Sequence, residues 1–419
     1  MKTNTLRIFA VATLILLMGF LLNSVYKTSN LDQKISLIKD NNQASVFFVQ
    51  SSNPELLKQK YSKVKENSNL ENKIRVLIVP GHEPNYGGAE YRGLKERDMN
   101  LELAEKFYEY LDTNSKYYSV LTRDENGWNE DLEKYFTDKK DEVNEWQKGQ
   151  KLEMSRLISD GAIKKVQNAY HNNAPSNVAL RLYAINKWAS ENKFDIVIHI
   201  HFNDDPTRRG SVPGKYSGFS IYMPERQYSN ANSAQKIANF VFRRLVTYGL
   251  VSTLKTESDG LIEDQDLIAI GSYNTADAPS ILIEYGYIYE SQFIDKNIRS
   301  AMLKEYAYQT YIGLENFFGQ TELSSEKFDN TLFPKEWNNV LKKDFKPSID
   351  SLSLQFALMR EGFYPPDNMS REECPMSGAF GECTRLSLLD FQKSHNIIDE
   401  KGILGSKTRK ELNILFSGE

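Results

Sequence analysis

Two of the five histidines in this chain (His82, His171, His199, His201 and His395) stand where an apolar run ends. His82 follows Ile74-Arg75-Val76-Leu77-Ile78-Val79 through Pro80-Gly81, and His201 closes Phe194-Asp195-Ile196-Val197-Ile198-His199-Ile200 just before Phe202-Asn203. Dense β-branched runs of this length, bounded by turn residues, read as buried strands. In open α/β sheets, ligand and metal sites gather beyond the carboxyl ends of the strands. Glu96 lies at the start of the first helix, shortly after His82, and can swing back to the same rim. Two imidazoles and a carboxylate are the ligand set of a catalytic zinc, which leaves the fourth position for water. Glu284 ends the otherwise apolar Ser280-Ile281-Leu282-Ile283 and is the candidate general base. Taken singly, each of these residues has a plainer reading: a hydrogen-bonded structural histidine, or a core glutamate paired with an arginine. Their joint placement at strand ends and a helix start favours the metal site.

The elements that must position these residues alternate. Leu103, Phe107 and Leu111 recur at helical spacing within Asn100–Leu111. Tyr118–Thr122 reads as a second strand, and Val178–Trp188 as a helix. A strand at Phe219–Met223, a helix at Ser233–Tyr248 and a closing helix at Asp295–Phe318 complete the pattern. Strands alternating with helices predict an α/β fold, with a mostly parallel open sheet and helices on both faces. A highly charged stretch, 124–175, interrupts the rhythm. Beyond a polar linker over 319–346, the last residues hold an internal echo: Gly378-Ala379-Phe380-Gly381-Glu382-Cys383-Thr384-Arg385 returns as Gly402-Ile403-Leu404-Gly405-Ser406-Lys407-Thr408-Arg409. Each threonine is predicted to N-cap a following helix, giving a small all-α C-terminal domain.

With 419 residues the chain has room for two or three domains, and a formal net charge of -4 carries no domain-wide basic excess of the kind nucleic acid requires. Lys2 and Arg7 precede an unbroken apolar run from Ile8 to Leu22. The run suits a signal-peptide core or a short membrane anchor, with the positive flank inside and the remainder outside. No small-residue cleavage pattern follows Leu22, which favours an anchor over residues 1–26, with 27–72 as a polar stalk. Cys374 and Cys383 lie nine positions apart in an exported chain, so a local disulfide is expected.

Several motifs, in order, resemble the zinc-dependent N-acetylmuramoyl-L-alanine amidases over about 73–317. They are Val79-Pro80-Gly81-His82, Gly93-Leu94-Lys95-Glu96-Arg97-Asp98-Met99-Asn100-Leu101 and Val120-Leu121-Thr122-Arg123. Arg181 and Asn186, Ile198-His199-Ile200-His201-Phe202-Asn203, and Ile281-Leu282-Ile283-Glu284-Tyr285-Gly286-Tyr287-Ile288 follow. The resemblance implies His82, Glu96 and His201 as zinc ligands and Glu284 as catalytic base. It implies hydrolysis of the amide between N-acetylmuramic acid and L-alanine in peptidoglycan, outside the cytoplasm. His199, Asn203 and Arg181 are expected to support the ligands or bind substrate, with His199 as the alternative ligand to His201.

The chain departs from the family pattern at Val79, where aspartate is usual, at Glu83, where glycine is common, and at His199, where serine is usual. Some family members use an inserted helix to block the site until a partner removes it, which raises an activator protein as a partner and leaves 124–175 as either a blocking insertion or a solvated helical elaboration. The C-terminal stretch 347–419, through Leu354-Gln355, Phe391-Gln392 and the two Gly-x-apolar-Gly-x-x-Thr turns, resembles a helical peptidoglycan-binding domain. Two other readings stay open on the residues: an inactive wall-binding scaffold, and a zinc peptidase acting within the stem peptide.

Overall fold

The computed structural model describes residues 53–166, 174–320 and 336–416. All of them belong to the second of two compact units, Gln50–Glu419. The N-terminal anchor segment and His171 lie outside the described residues. Among the described residues, no helix is long and apolar enough to cross a membrane.

A six-stranded sheet of order β4-β1-β5-β8-β6-β7 forms the centre. Its strands are β1 (Ile74–Pro80), β4 (Tyr117–Leu121), β5 (Ile196–Asn203), β6 (Ser220–Pro224), β7 (Leu261–Asp264) and β8 (Ser280–Tyr287). A two-residue ribbon, β2 (Glu90–Tyr91) with β3 (Leu94–Lys95), stands apart. The first four strands of the sheet run parallel, β6 is antiparallel to β8, and β7 is parallel to β6. The mostly parallel α/β expectation therefore holds. β1, β5 and β8 are buried along nearly their whole length because helices cover both faces of a parallel sheet, with the polar residues His201, Asn203 and Glu284 toward the carboxyl ends.

On one face lie α2 (Glu96–Asp112), α6 (Ala231–Leu245) and α8 (Lys296–Phe317), packed on Ile78, Ile198, Ile200 and Ile283. On the other lies α5 (Ser176–Glu191), with Tyr183, Ile185 and Trp188 against Leu77, Val79 and Val197. The described part of the charged insertion includes a helical hairpin, α3 (Glu130–Asp138) and α4 (Lys140–Ser159), that adds Leu132, Tyr135 and Val143 to this second core.

Three sequence expectations are corrected. The stretch read as a stalk contains α1 (Pro54–Lys63), begun by Asn53 capping Glu55 N–H and by Pro54 in its first turn. Its Tyr61 is buried and donates to Glu315, while Lys60 pairs with Asp195 at 2.6 Å. The apolar body of Tyr61 fills the core, so the chain is already folded where polarity suggests a linker. The second linker likewise ends early: Trp337 is buried, and Leu341 and Asp344 bridge to Leu404 and Phe380.

The third correction concerns the threonines. The C-terminal helices are α9 (Ile349–Arg360), α10 (Glu382–Ser394) and α11 (Ser406–Phe416), so Thr384 and Thr408 sit inside their helices, buried, and are not N-caps. Each receives a hydrogen bond from a buried glutamine instead. Gln355 accepts from Gly378 N–H and donates to Ala379 O and Thr384 Oγ1. Gln392 accepts from Gly402 N–H and donates to Ile403 O and Thr408 Oγ1. The echo in sequence is thus a repeated glutamine clasp on a glycine turn, and Gly378 and Gly402 both take positive φ there. Cys374 and Cys383 are joined, with Cα atoms 5.7 Å apart.

Candidate metal centre

Pro80 ends β1 and Gly81 turns the chain, so His82 arrives at the carboxyl rim with φ 69°. A left-handed histidine costs roughly 1–3 kcal/mol and persists only where its surroundings over-determine it. The surroundings do so here. Gly81 N–H donates to Ile200 O on β5, and Gly81 O accepts from Arg123 Nη2 at 2.8 Å and Asn100 Nδ2 at 3.2 Å. His201 lies two residues before the end of the neighbouring β5, and Glu284 on β8 is its direct partner in register. The register then shifts between His201 and Asn203, a local irregularity of the kind that re-aims side chains at a sheet rim.

Glu96 is the first residue of α2, where the helix dipole favours a carboxylate. Its Oε1 lies 2.7 Å from His82 Nε2 and 3.1 Å from His201 Nδ1. Ala89 N–H donates to Oε2 at 2.8 Å, and Phe202 N–H to Oε1 at 3.2 Å. Burial alone would raise this carboxyl, but His82 and His201 outweigh it and hold it well below the usual carboxylate range. Burial lowers the pKa of His201, which favours the neutral imidazole that a metal needs.

Ligand atoms of His82, Glu96 and His201 all lie within 4.8 Å of one another, and theirs is the single such group among the described residues. Backbone space confirms the closeness. A Cβ on Gly81 would sit 2.2 Å from the His201 ring, and one on Gly88 would sit 2.8 Å from His82 and 3.1 Å from Glu96 Oε2. The donor set, two imidazole nitrogens and a carboxylate, fits zinc.

Glu284 has an Oε2 closed off from solvent and without a hydrogen-bond partner. Burial, then repulsion from Glu96 and Glu257, pushes its carboxyl well above the ordinary range. A divalent cation among the three ligands would oppose that shift by attraction.

The remaining sequence candidates fall around this cluster in different ways. His199 is buried on the same face of β5 as His201, with a pKa lowered to about 3 by burial and by His201. It does not join the ligand cluster. Asn203 donates to Glu257 at 3.0 Å and accepts from Asp204 N–H, so both ends of its amide are engaged within the protein. Arg181 on α5 pairs with Glu83 at 2.8 Å and donates to Tyr86 OH at 2.7 Å. The unusual Glu83 therefore ties the His82 loop to α5.

Two participants escaped the sequence reading. Glu257 is a buried carboxylate that accepts from Asn203, Tyr222 and Ser252. It lies in the polar stretch Lys255–Asp259, where no periodicity singles it out. Arg123 appeared as part of a motif, yet nothing in the spacing assigned it a task. The described part of the insertion hydrogen-bonds elsewhere: Lys164 and Val166 meet Gln227 and Gln265, and Tyr135 donates to Glu191.

Residues 76–316 match the sequence profile of the N-acetylmuramoyl-L-alanine amidase family. Solved structures similar to this one include the N-acetylmuramoyl-L-alanine amidase of Clostridium difficile 630, at 15% identity and TM-score 0.36, covering 60% of this chain and 99% of that one. Ami1 of Mycobacterium smegmatis is 14% identical with TM-score 0.38, covering 61% and 100%. The CwlD amidase of Clostridioides difficile, solved in complex with the GerS lipoprotein, is 16% identical with TM-score 0.38, covering 59% and 99%. No curated protein sequence matches the chain.

Proposed function

Since this chain belongs to the N-acetylmuramoyl-L-alanine amidase family, we propose that it is a zinc-dependent hydrolase that cleaves the amide between N-acetylmuramic acid and L-alanine in peptidoglycan. The observation that carries this reading is the joining of His82, Glu96 and His201 within one cluster, with Glu284 directly across from His201. These three residues would hold zinc. When bound, zinc would act as a Lewis acid and bring water to a reactive state near neutral pH.

The chain's own residues supply the rest. Glu284, across from His201 in register and with a buried, unpartnered Oε2, takes the proton of the attacking water. The same carboxyl then passes that proton to the departing α-amine of L-alanine as the C–N bond breaks. Glu96, held ionised by the two histidines, keeps its charge on the ligand side. Asn203 and Glu257 brace the strand end behind His201.

The compartment we propose is extracytoplasmic, with residues 1–26 as anchor or signal. The three C-terminal helices are proposed as a wall-binding module, and a lipoprotein-type activator is a candidate partner. The test is metal analysis of residues 53–419. The reading expects one zinc per chain, loss of wall hydrolysis on chelation and recovery with added zinc. Full activity after complete removal of the metal would refute it.

A further inference from the structure

The geometry points to Arg123 as the positioning residue that locks the His82 loop to the Glu96 helix and so fixes the distance between two of the three metal ligands. The proposal rests on the metal-site reading above. Arg123 follows β4 and is buried, 2% exposed. Its Nε donates to Pro80 O at 3.1 Å. Its Nη2 donates to Gly81 O at 2.8 Å and to Arg97 O at 2.8 Å. Pro80 and Gly81 are the two residues before His82, and Arg97 is the residue after Glu96. One planar guanidinium therefore spans the backbone beside one ligand and the backbone beside another.

Arginine suits this place for a physical reason. A buried cation must have its donors satisfied, and a rigid fork can satisfy several carbonyls at fixed angles. Lysine, a point charge on a flexible stem, can reach one or two of them but cannot hold all three in one plane. Asn100 supplies a further bond to Gly81 O from α2 itself, and Gly81 N–H is tied to Ile200 O beside His201. The left-handed His82 is consequently pinned from β4, α2 and β5. Arg123 reaches the metal only through these backbone groups, since His82, Glu96 and His201 make up the ligand cluster.

The experiment uses the chain with its C-terminal helices intact. Zinc affinity is measured by competition with a chromophoric chelator for the parent protein, Arg123→Met, Arg123→Lys and Asn100→Ala, beside thermal melting and cobalt-substituted absorption spectra. Supports of metal ligands typically change affinity 10- to 100-fold. A loss of about that size is expected for Arg123→Met, with a shifted cobalt spectrum, a smaller loss for Asn100→Ala and partial recovery in Arg123→Lys. A purely structural arginine would lower the melting temperature and leave the affinity and spectrum of the folded protein unchanged; that result overturns the proposal. If Arg123→Met does not fold, unchanged zinc affinity in both remaining variants overturns it equally. A parent protein that binds no zinc would instead defeat the metal-site reading itself.

Discussion

At the residue scale, one unpartnered carboxylate and three clustered ligand residues carry the proposed chemistry. Glu284→Gln keeps the shape of the side chain and removes its basicity. Turnover should fall by about 10²–10⁴-fold with zinc content unchanged, as read by single-batch kinetics and metal analysis; a loss of zinc would make Glu284 a ligand. Gly81→Ala tests the crowding differently. The new methyl would press on the His201 ring, so metal binding should be lost while far-UV circular dichroism stays that of the parent. The placement of His82, Glu96, His201 and Glu284 at one rim could be read from strand-end and helix-start positions, and the structure brings the first three together with Glu284 across from His201. Arg123 and Glu257 were not assigned, because their roles depend on which backbone or amide groups lie beside them after folding. Neighbours of that kind are set by sheet order, which hydrophobic periodicity does not encode.

At the scale of elements, the sheet and its principal helices could be read from periodicity, whereas short pairings could not. β7 has only four residues and the β2–β3 ribbon two per strand, too few for alternation to stand out. The insertion is the instructive case. Its charge suggested a solvated or site-blocking segment, but Leu132, Tyr135 and Val143 bury a stripe against Tyr183 and Trp188 of α5. Leu132 is fully buried, and Leu132→Ala should cost roughly 2–4 kcal/mol in chemical denaturation. Deleting the hairpin 130–159 should lower the melting temperature without raising hydrolysis. Faster hydrolysis at an unchanged melting temperature would favour the blocking role.

At the scale of the whole molecule, polarity alone misplaced both linkers, because Tyr61 and Trp337 sit in stretches otherwise rich in Lys, Asn and Glu. The C-terminal helices belong to the same apolar core as the sheet. Tyr248 packs on Phe356 with ring centroids 5.1 Å apart, and Ile298 lies beneath Gly378. α8 is buried nearly all round, with α2 and α6 as its main neighbours, Tyr285 of β8 against its Tyr306 and Thr310, and α9 beside it. Truncation at residue 320 should therefore lower the melting temperature by on the order of 10 °C, measured by scanning calorimetry. An unshifted transition would mean a freely tethered module. The most direct test of the central claim is mass analysis of products from purified peptidoglycan, digested by residues 53–419 beside Glu284→Gln. The account predicts free stem peptides beginning with L-alanine, absent from the variant. Shortened peptides still attached to muramic acid would contradict it and identify a peptidase.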